Sequence, residues 1–183
     1  MIYFAYGSNT CREHMLRRTP CAKPLGKFWL RSSRLVFRGV ADCVYEPGSR
    51  CPGVLWKLTA DCEAILDRKE GINSGAYRKV IVDMTGFPGE NELMLYVMNS
   101  TGIMPPSEFY LSTIRRGYRD FKLPMRYLQR ALVESWDSKA PSYRERQRYM
   151  RDGRPRLAVV SAQAEKPGES STGNTLDLFN RSV

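Results

Sequence analysis

The sequence predicts a single α+β domain. Three observations predict it. Short apolar runs that break at Gly and Pro occupy the first hundred residues, and helical periodicity takes over beyond Pro105-Pro106. The chain has 183 residues and is 42% hydrophobic, enough for one well-packed core and cramped for two. The opening run Ile2 to Tyr6 is apolar and aromatic, stops at Gly7, and leads into a helix-compatible stretch, Thr10 to Arg18. The domain is expected to span 1–157, with a flexible tail over 158–183.

In order, Ile2 to Tyr6 is a strand, and Gly7 turns it toward a helix. Ser8 and Asn9 are good helix N-cap residues. Such a junction presents free backbone N–H groups, which can hold a carboxylate or phosphate. An ordinary strand–turn–helix reads the same way. Leu35–Phe37 and Val40–Tyr45 are short strands closed by the turn Glu46-Pro47-Gly48-Ser49. Gly53–Leu58 is a strand. Thr59 then caps a helix from Ala60 to about Glu70, with Asp61 and Glu63 in its acid-favouring first turn. Cys62, Ile65 and Leu66 give it a narrow apolar stripe, and Gly71 stops it. Tyr77–Met84 and Leu93–Met98 form a hairpin across Gly86 to Asn91.

Beyond the prolines, Ser107 is an N-cap, and Phe109, Leu111 and Ile114 are apolar positions of the helix that follows. Gly117 weakens that helix near its end. Pro124 suits the first turn of another helix, whose face is Leu128, Leu132 and Trp136. Tyr143–Asp152 is a third, very basic candidate. From Ser161 the composition turns to Ser, Gly, Glu, Asn and Thr, which predicts a mostly disordered tail; the alternative is that Leu176, Leu178 and Phe179 dock as a short anchor.

Composition narrows the function classes. No window approaches the roughly 18 apolar residues of a membrane span. The start lacks a basic n-region and a cleavage pattern, so no secretory signal is expected. The five cysteines, Cys11, Cys21, Cys43, Cys51 and Cys62, are odd in number and never spaced C-x-x-C. They read as reduced thiols of a cytoplasmic protein. A single histidine, His14, argues against a structural zinc site. Net charge is +10, from 29 Lys+Arg against 19 Asp+Glu, and Arg126 to Arg156 carries nine basic against four acidic residues. A basic stripe can meet nucleic acid, attract small anions, or serve solubility. No RNP, zinc-finger or helix-turn-helix pattern accompanies it.

Glu70 stands at the C-terminal end of its helix, just before Gly71. The helix dipole disfavours a carboxylate there by about 0.3–1 kcal/mol. Either the residue is exposed and tolerates that cost, or its pKa is meant to be raised, giving a carboxyl able to take and return a proton near neutrality.

Tyr6-Gly7-Ser8-Asn9, then Arg17-Arg18-Thr19-Pro20 with Leu25-Gly26, then Pro52-Gly53-Val54-Leu55-Trp56, are followed by Leu66-Asp67-Arg68-Lys69-Glu70-Gly71 with Gly75 and Tyr77. Tyr96, Pro106 to Tyr110 and Leu123-Pro124 continue the series. In this order the motifs resemble the γ-glutamylcyclotransferase superfamily, including its AIG2-like members, over about residues 1–135. The turn reads YGSN, not the YGSL of the glutathione-specific ChaC branch. The resemblance implies a small mixed β-barrel with helices outside. It also implies release of 5-oxoproline from γ-glutamyl compounds, with no metal or cofactor. Glu70 is then the acid/base, and Tyr6, Gly7, Ser8 and Asn9 the substrate-binding loop. Tyr77, Tyr96 and Tyr110 stand where the family's tyrosines line the pocket. One carboxyl can perform both proton transfers, and ring closure is intramolecular. His14 is expected on a helix surface. Thr10 and Cys11 depart from the more apolar pair of many relatives, and the Arg-rich segment 143–156 lies beyond the resemblance. The partner is expected to be a small γ-glutamyl molecule, not a metal or a membrane. Second stands a non-catalytic ligand-binding or regulatory protein on the same fold, and third nucleic-acid binding through the basic C-terminal segment.

Overall fold

The structure, a computed structural model, describes residues 1–83 and 92–136 and the backbone of 175–176. The elements are β1 (Ile2–Ala5), a 3₁₀ turn (Ser8–Thr10), α1 (Arg12–Arg18), β2 (Lys23–Phe37) and β3 (Ala41–Lys57). Then follow α2 (Ala60–Lys69), β4 (Tyr77–Asp83), β5 (Glu92–Met98), α3 (Glu108–Asp120), α4 (Met125–Ser135) and β6 (Thr175–Leu176). None of the described helices is long and apolar enough to cross a membrane.

The strands form one mixed sheet in the order β4-β5-β1-β3-β2-β6. All four residues of β1 are buried, which explains its unbroken apolar run. It lies antiparallel to β3, with Phe4 opposite Leu55, and parallel to β5, with Tyr3 opposite Met94. The order is linear and the sheet does not close, so the expected barrel is a loose name for it. Trp56, Tyr118, Phe4, Phe28 and Phe37 are almost fully buried and anchor the core. Burying each apolar side chain of this kind stabilises by roughly 1.5–3 kcal/mol.

Local chemistry sets several boundaries as expected. Thr59 accepts a hydrogen bond from Cys62 N–H at 3.3 Å and starts α2. Ser107 does the same for Tyr110 N–H at 3.3 Å and starts α3. β4 and β5 pair antiparallel from Tyr77↔Met98 to Asp83↔Glu92. Their expected turn, the helix 143–152 and all of the tail but 175–176 lie outside the described residues. Those two residues pair in parallel with Trp29 and Leu30 on the β2 edge.

Other expectations give way. β2 begins at Lys23, far ahead of Leu35, paired with Lys57 of β3; Lys23–Lys27 alternates in exposure without an apolar run, so its sequence carries no strand signal. The turn at 46–49 does not end a strand. Tyr45 pairs with Ser33 and Arg50 with Arg31, so Glu46–Ser49 bulges out opposite Ser32 within the β2–β3 ladder. Ser8 and Asn9 do not cap α1. They lie in the 3₁₀ turn, and Cys11 takes the N-cap position with no side-chain bond. The buried face of α4 is Leu128, Ala131 and Ser135, while Trp136 is exposed. Gly117 is a packing site rather than a weak point. A Cβ there would lie 2.3 Å from Thr10 Oγ1 and 2.4 Å from Cys11 N, so α3 rests directly on the 3₁₀ turn. The thiols are not all free: Cys21 and Cys62 are disulfide-bonded, joining the chain after α1 to the first turn of α2. Their separation of 41 residues hides that proximity from a spacing rule.

Candidate functional site

Helix α2 ends by a Schellman motif. Ile72 N–H reaches Asp67 C=O at 3.0 Å, and Gly71 N–H reaches Arg68 C=O at 3.2 Å. Gly71 takes φ +67°, the left-handed conformation that glycine adopts without steric cost. Glu70 is thereby fixed as the C-cap residue, and its side chain turns inward at 16% exposure. The exposed reading of this glutamate is therefore set aside.

Two donors hold the Glu70 carboxylate. Arg18 Nη1 lies 3.2 Å from Oε1, and Asn9 Nδ2 also donates to Oε1 at 3.2 Å. Arg18 Nη1 further reaches Asn9 Oδ1 at 3.3 Å, closing a triangle of α1, the 3₁₀ turn and α2. Asn9 Nδ2 donates in addition to Tyr3 Oη at 2.9 Å. This inward pull explains why Asn9 is not a helix cap. The Glu70 pKa is raised above the ordinary carboxylate value. Burial raises it, and the Arg18 charge with the two hydrogen bonds offsets part of that rise. Such a carboxyl can exchange a proton closer to neutrality than an exposed one.

Glu70 shares a pocket with Tyr3, Tyr6, Gly7, Ser8, Asn9, Ala41, Tyr77, Tyr96 and Tyr110. The structure thus brings every sequence-nominated site residue to one place. Its empty volume is about 290 Å³ including the mouth. β1 and the 3₁₀ turn supply one wall, β4 and β5 another, and α3 a third. Burial is the first cause that holds the phenols of Tyr3, Tyr6, Tyr77, Tyr96 and Tyr110 above their ordinary range, so all five remain neutral near pH 7.

The hydroxyls differ in what they can still do. Tyr6 Oη donates to the Tyr96 carbonyl, which ties the end of β1 to β5. Tyr110 Oη accepts from Ala41 N–H at 3.1 Å and lies against Ser8, whose polar groups offset part of the rise that burial gives its pKa. The phenol oxygen stands where the turn was expected to present N–H groups to an anion. A Cβ on Gly7 would lie 2.9 Å from this oxygen and 3.1 Å from Ala41 Cβ. Gly7 has φ −104°, so closeness and not handedness requires glycine here.

Sequence reading did not nominate Tyr3, Arg18, Ala41 or the charged groups behind the pocket. Arg18 had a signal in its Arg-Thr-Pro motif, but nothing local pointed it at Glu70, 52 residues away. Asp42 is 1% exposed beside the pocket. It pairs with Arg38 Nε at 2.7 Å and accepts from Cys43 and Met98 N–H groups. His14 is half-buried rather than freely exposed. Burial and the charges of Arg18, Arg17 and Arg116 lower its pKa to about 4, so it is neutral at pH 7. Among the described residues no three His, Cys, Asp or Glu side chains cluster as metal ligands would.

A family model described as "AIG2-like family" matches residues 50–131. A protein from Homo sapiens named gamma-glutamylcyclotransferase is 31% identical over 142 residues, covering 70% of this chain and 76% of that one. Its namesake from Bos taurus is 31% identical over 139 residues, covering 69% and 74%. A solved structure named gamma-glutamyl cyclotransferase superposes with a TM-score of 0.63 at 26% identity, covering 83% of this chain and 98% of that one.

Proposed function

This chain belongs to the γ-glutamylcyclotransferase family, and on that premise we propose that it cyclises a γ-glutamyl amino acid or γ-glutamyl amine to 5-oxoproline and the free amine. Glu70 is the general acid/base. The observation that carries the reading is Glu70, a buried carboxyl of raised pKa that lines a pocket together with five tyrosines.

The reaction is acyl transfer by intramolecular aminolysis. Glu70 takes a proton from the substrate's α-ammonium. The freed nitrogen attacks the γ-carbonyl carbon, and the C–N bond of the five-membered ring forms. The carbonyl oxygen becomes an oxyanion, which the hydroxyl hydrogens of Tyr77 and Tyr110 are suited to steady. Glu70 gives its proton to the leaving nitrogen as the bond from that nitrogen to the γ-carbon breaks, then takes the second proton from the ring nitrogen and passes it to the freed amine. The amine departs as an ammonium and Glu70 ends ionised, as it began. Both reacting atoms sit on one molecule, so a pocket that folds the chain supplies the proximity term. Positioned acid–base catalysis adds roughly 10²–10⁴-fold.

The test is incubation with a panel of γ-glutamyl amino acids and γ-glutamyl amines, with 5-oxoproline and free amine measured together. Equimolar release of both from at least one substrate is expected. No release from any, by protein shown to be folded, overturns the reading.

A further inference from the structure

Tyr96, like Tyr6, has its hydroxyl hydrogen already committed to a protein acceptor, and in Tyr96 that acceptor is a side chain. Tyr96 Oη donates to Asp67 Oδ1 at 2.7 Å. The other oxygen of Asp67 accepts from Lys79 Nζ at 2.9 Å, and Lys79 also reaches Glu63 Oε1 at 2.6 Å. Asp67 precedes Glu70 by three residues, so the two carboxylates lie on one side of the last turn of α2. The Schellman bond from Ile72 N–H locks the Asp67 backbone at the same place. The ring of Tyr96 is fixed as well, edge-on to Tyr3 at 5.6 Å.

A phenol has one hydrogen and two lone pairs. Burial, then the hydrogen bond to Asp67 and its charge, keep the Tyr96 phenol protonated. That hydrogen faces Asp67, so Tyr96 can offer the pocket only an acceptor. Taking the cyclotransferase reading as given, we infer that Asp67 is a positioning residue that holds Tyr96 Oη as the acceptor for an N–H of the substrate's α-nitrogen. Once Glu70 has taken one proton, the α-nitrogen keeps two N–H bonds and one lone pair. Anchoring an N–H on Tyr96 stops rotation about the Cα–N bond and aims the lone pair at the γ-carbonyl. Without Asp67, the Tyr96 O–H is free to turn inward and donate to the substrate site or to Glu70, where it competes with the proton to be transferred. Lys79 and Glu63 keep Asp67 oriented from outside.

The experiment compares wild type, Asp67→Ala, Asp67→Asn, Tyr96→Phe, the Asp67→Ala/Tyr96→Phe double variant and Glu70→Gln in 5-oxoproline release, with melting curves for each. Asp67→Ala and Tyr96→Phe should each lower kcat on the order of 10–100-fold, the range that misplacement of a reacting atom produces. The double variant should be no slower than Tyr96→Phe, because Asp67 acts through that oxygen. Asp67→Asn, whose amide oxygen can still accept from Tyr96, should recover most of the loss. A pH profile separates this role from a packing role. Glu70 is faced by Arg18 from α1, Tyr3 from β1, Tyr77 from β4, Tyr96 from β5 and Tyr110 from α3. In Asp67→Ala the inward Tyr96 O–H stabilises ionised Glu70, so the acid limb of kcat/KM moves to lower pH than in the double variant, which lacks that hydroxyl. Wild-type turnover that Glu70→Gln abolishes, with Asp67→Ala within twofold of wild type, overturns this inference and leaves the cyclotransferase reading intact. Additive losses in the double variant also overturn it. A wild type that releases no 5-oxoproline overturns the reading itself.

Discussion

Arg18 and Glu70 face each other across 3.2 Å, from the last turn of α1 and the C-cap of α2. Burial and the guanidinium act on the carboxyl in opposite directions, and burial wins. The residue is left with a raised pKa and a fixed position, both of which a proton-transferring group needs. The first three predictions test this pair.

Glu70→Gln preserves the shape of the side chain and removes its titration. Under the proposed reaction kcat falls on the order of 10²–10⁴-fold, while the melting temperature near pH 7 does not drop. Single-turnover 5-oxoproline release is the measurement, and activity within threefold of wild type refutes the assignment.

The same substitution has a pH signature in stability. Below the ordinary value of 4.5 both folded and unfolded chains carry the Glu70 proton. Between that value and the raised folded one, the unfolded chain ionises first. The folded state then binds more protons, so the Glu70 contribution to stability falls as pH rises through this window. Glu70→Gln lacks the effect. Its melting temperature should rise relative to wild type from acid to neutral pH and level off above the folded pKa. A difference that shrinks along this path contradicts the raised pKa.

Arg18→Met removes the charge that lowers the Glu70 pKa. The carboxyl should then titrate at still higher pH, and the acid limb of kcat/KM should move toward alkaline pH. Profiles of the two proteins on one substrate decide the matter. A limb that stays put or moves to lower pH shows that Arg18 does not tune Glu70.

Gly7→Ala places a methyl group 2.9 Å from Tyr110 Oη and 3.1 Å from Ala41 Cβ. Tyr110 must yield, at a cost of about 1–3 kcal/mol typical of overpacking. Gly7→Val should be worse. Calorimetry with a non-cyclising γ-glutamyl analogue should show weakened binding by folded Gly7→Ala. Unchanged affinity means the turn is structural only.

Gly117→Ala sets two effects against each other. Helix propensity favours Ala by about 1 kcal/mol. The new Cβ meets Thr10 Oγ1 at 2.3 Å and Cys11 N at 2.4 Å, an overpacking that costs roughly 1–3 kcal/mol. The clash should prevail, lowering the melting temperature and shifting the turn that carries Ser8 and Asn9. A higher melting temperature would show that α3 stands off from the turn.

Much of the local architecture was legible in the sequence. Thr59 and Ser107 start their helices, Gly71 stops α2, and the β4–β5 hairpin follows from alternation. Each depends on a few neighbouring residues whose capping, handedness and periodicity act within one or two turns of chain. The position of Glu70 at a helix end was legible too, but that position alone left an exposed residue and a proton-transferring one both open, and only the resemblance to the family singled it out. The order of the motifs from Tyr6 to Tyr110 pointed to the family.

What the sequence could not decide is which distant groups meet. Arg18 reaches Glu70 across 52 residues, Asn9 across 61, and Tyr96 reaches Asp67 across 29. The strand order that sets β1 between β5 and β3 brings these side chains together, and no periodicity encodes it. The same is true of the Cys21–Cys62 pair, and of Gly117, which a propensity scale marks as weak and the packing of α3 on the turn makes necessary. A residue's conformation is largely a property of its neighbours in sequence. Whether its charge is buried, paired or pointed at a pocket is a property of its neighbours in space, and only the tertiary structure supplies those.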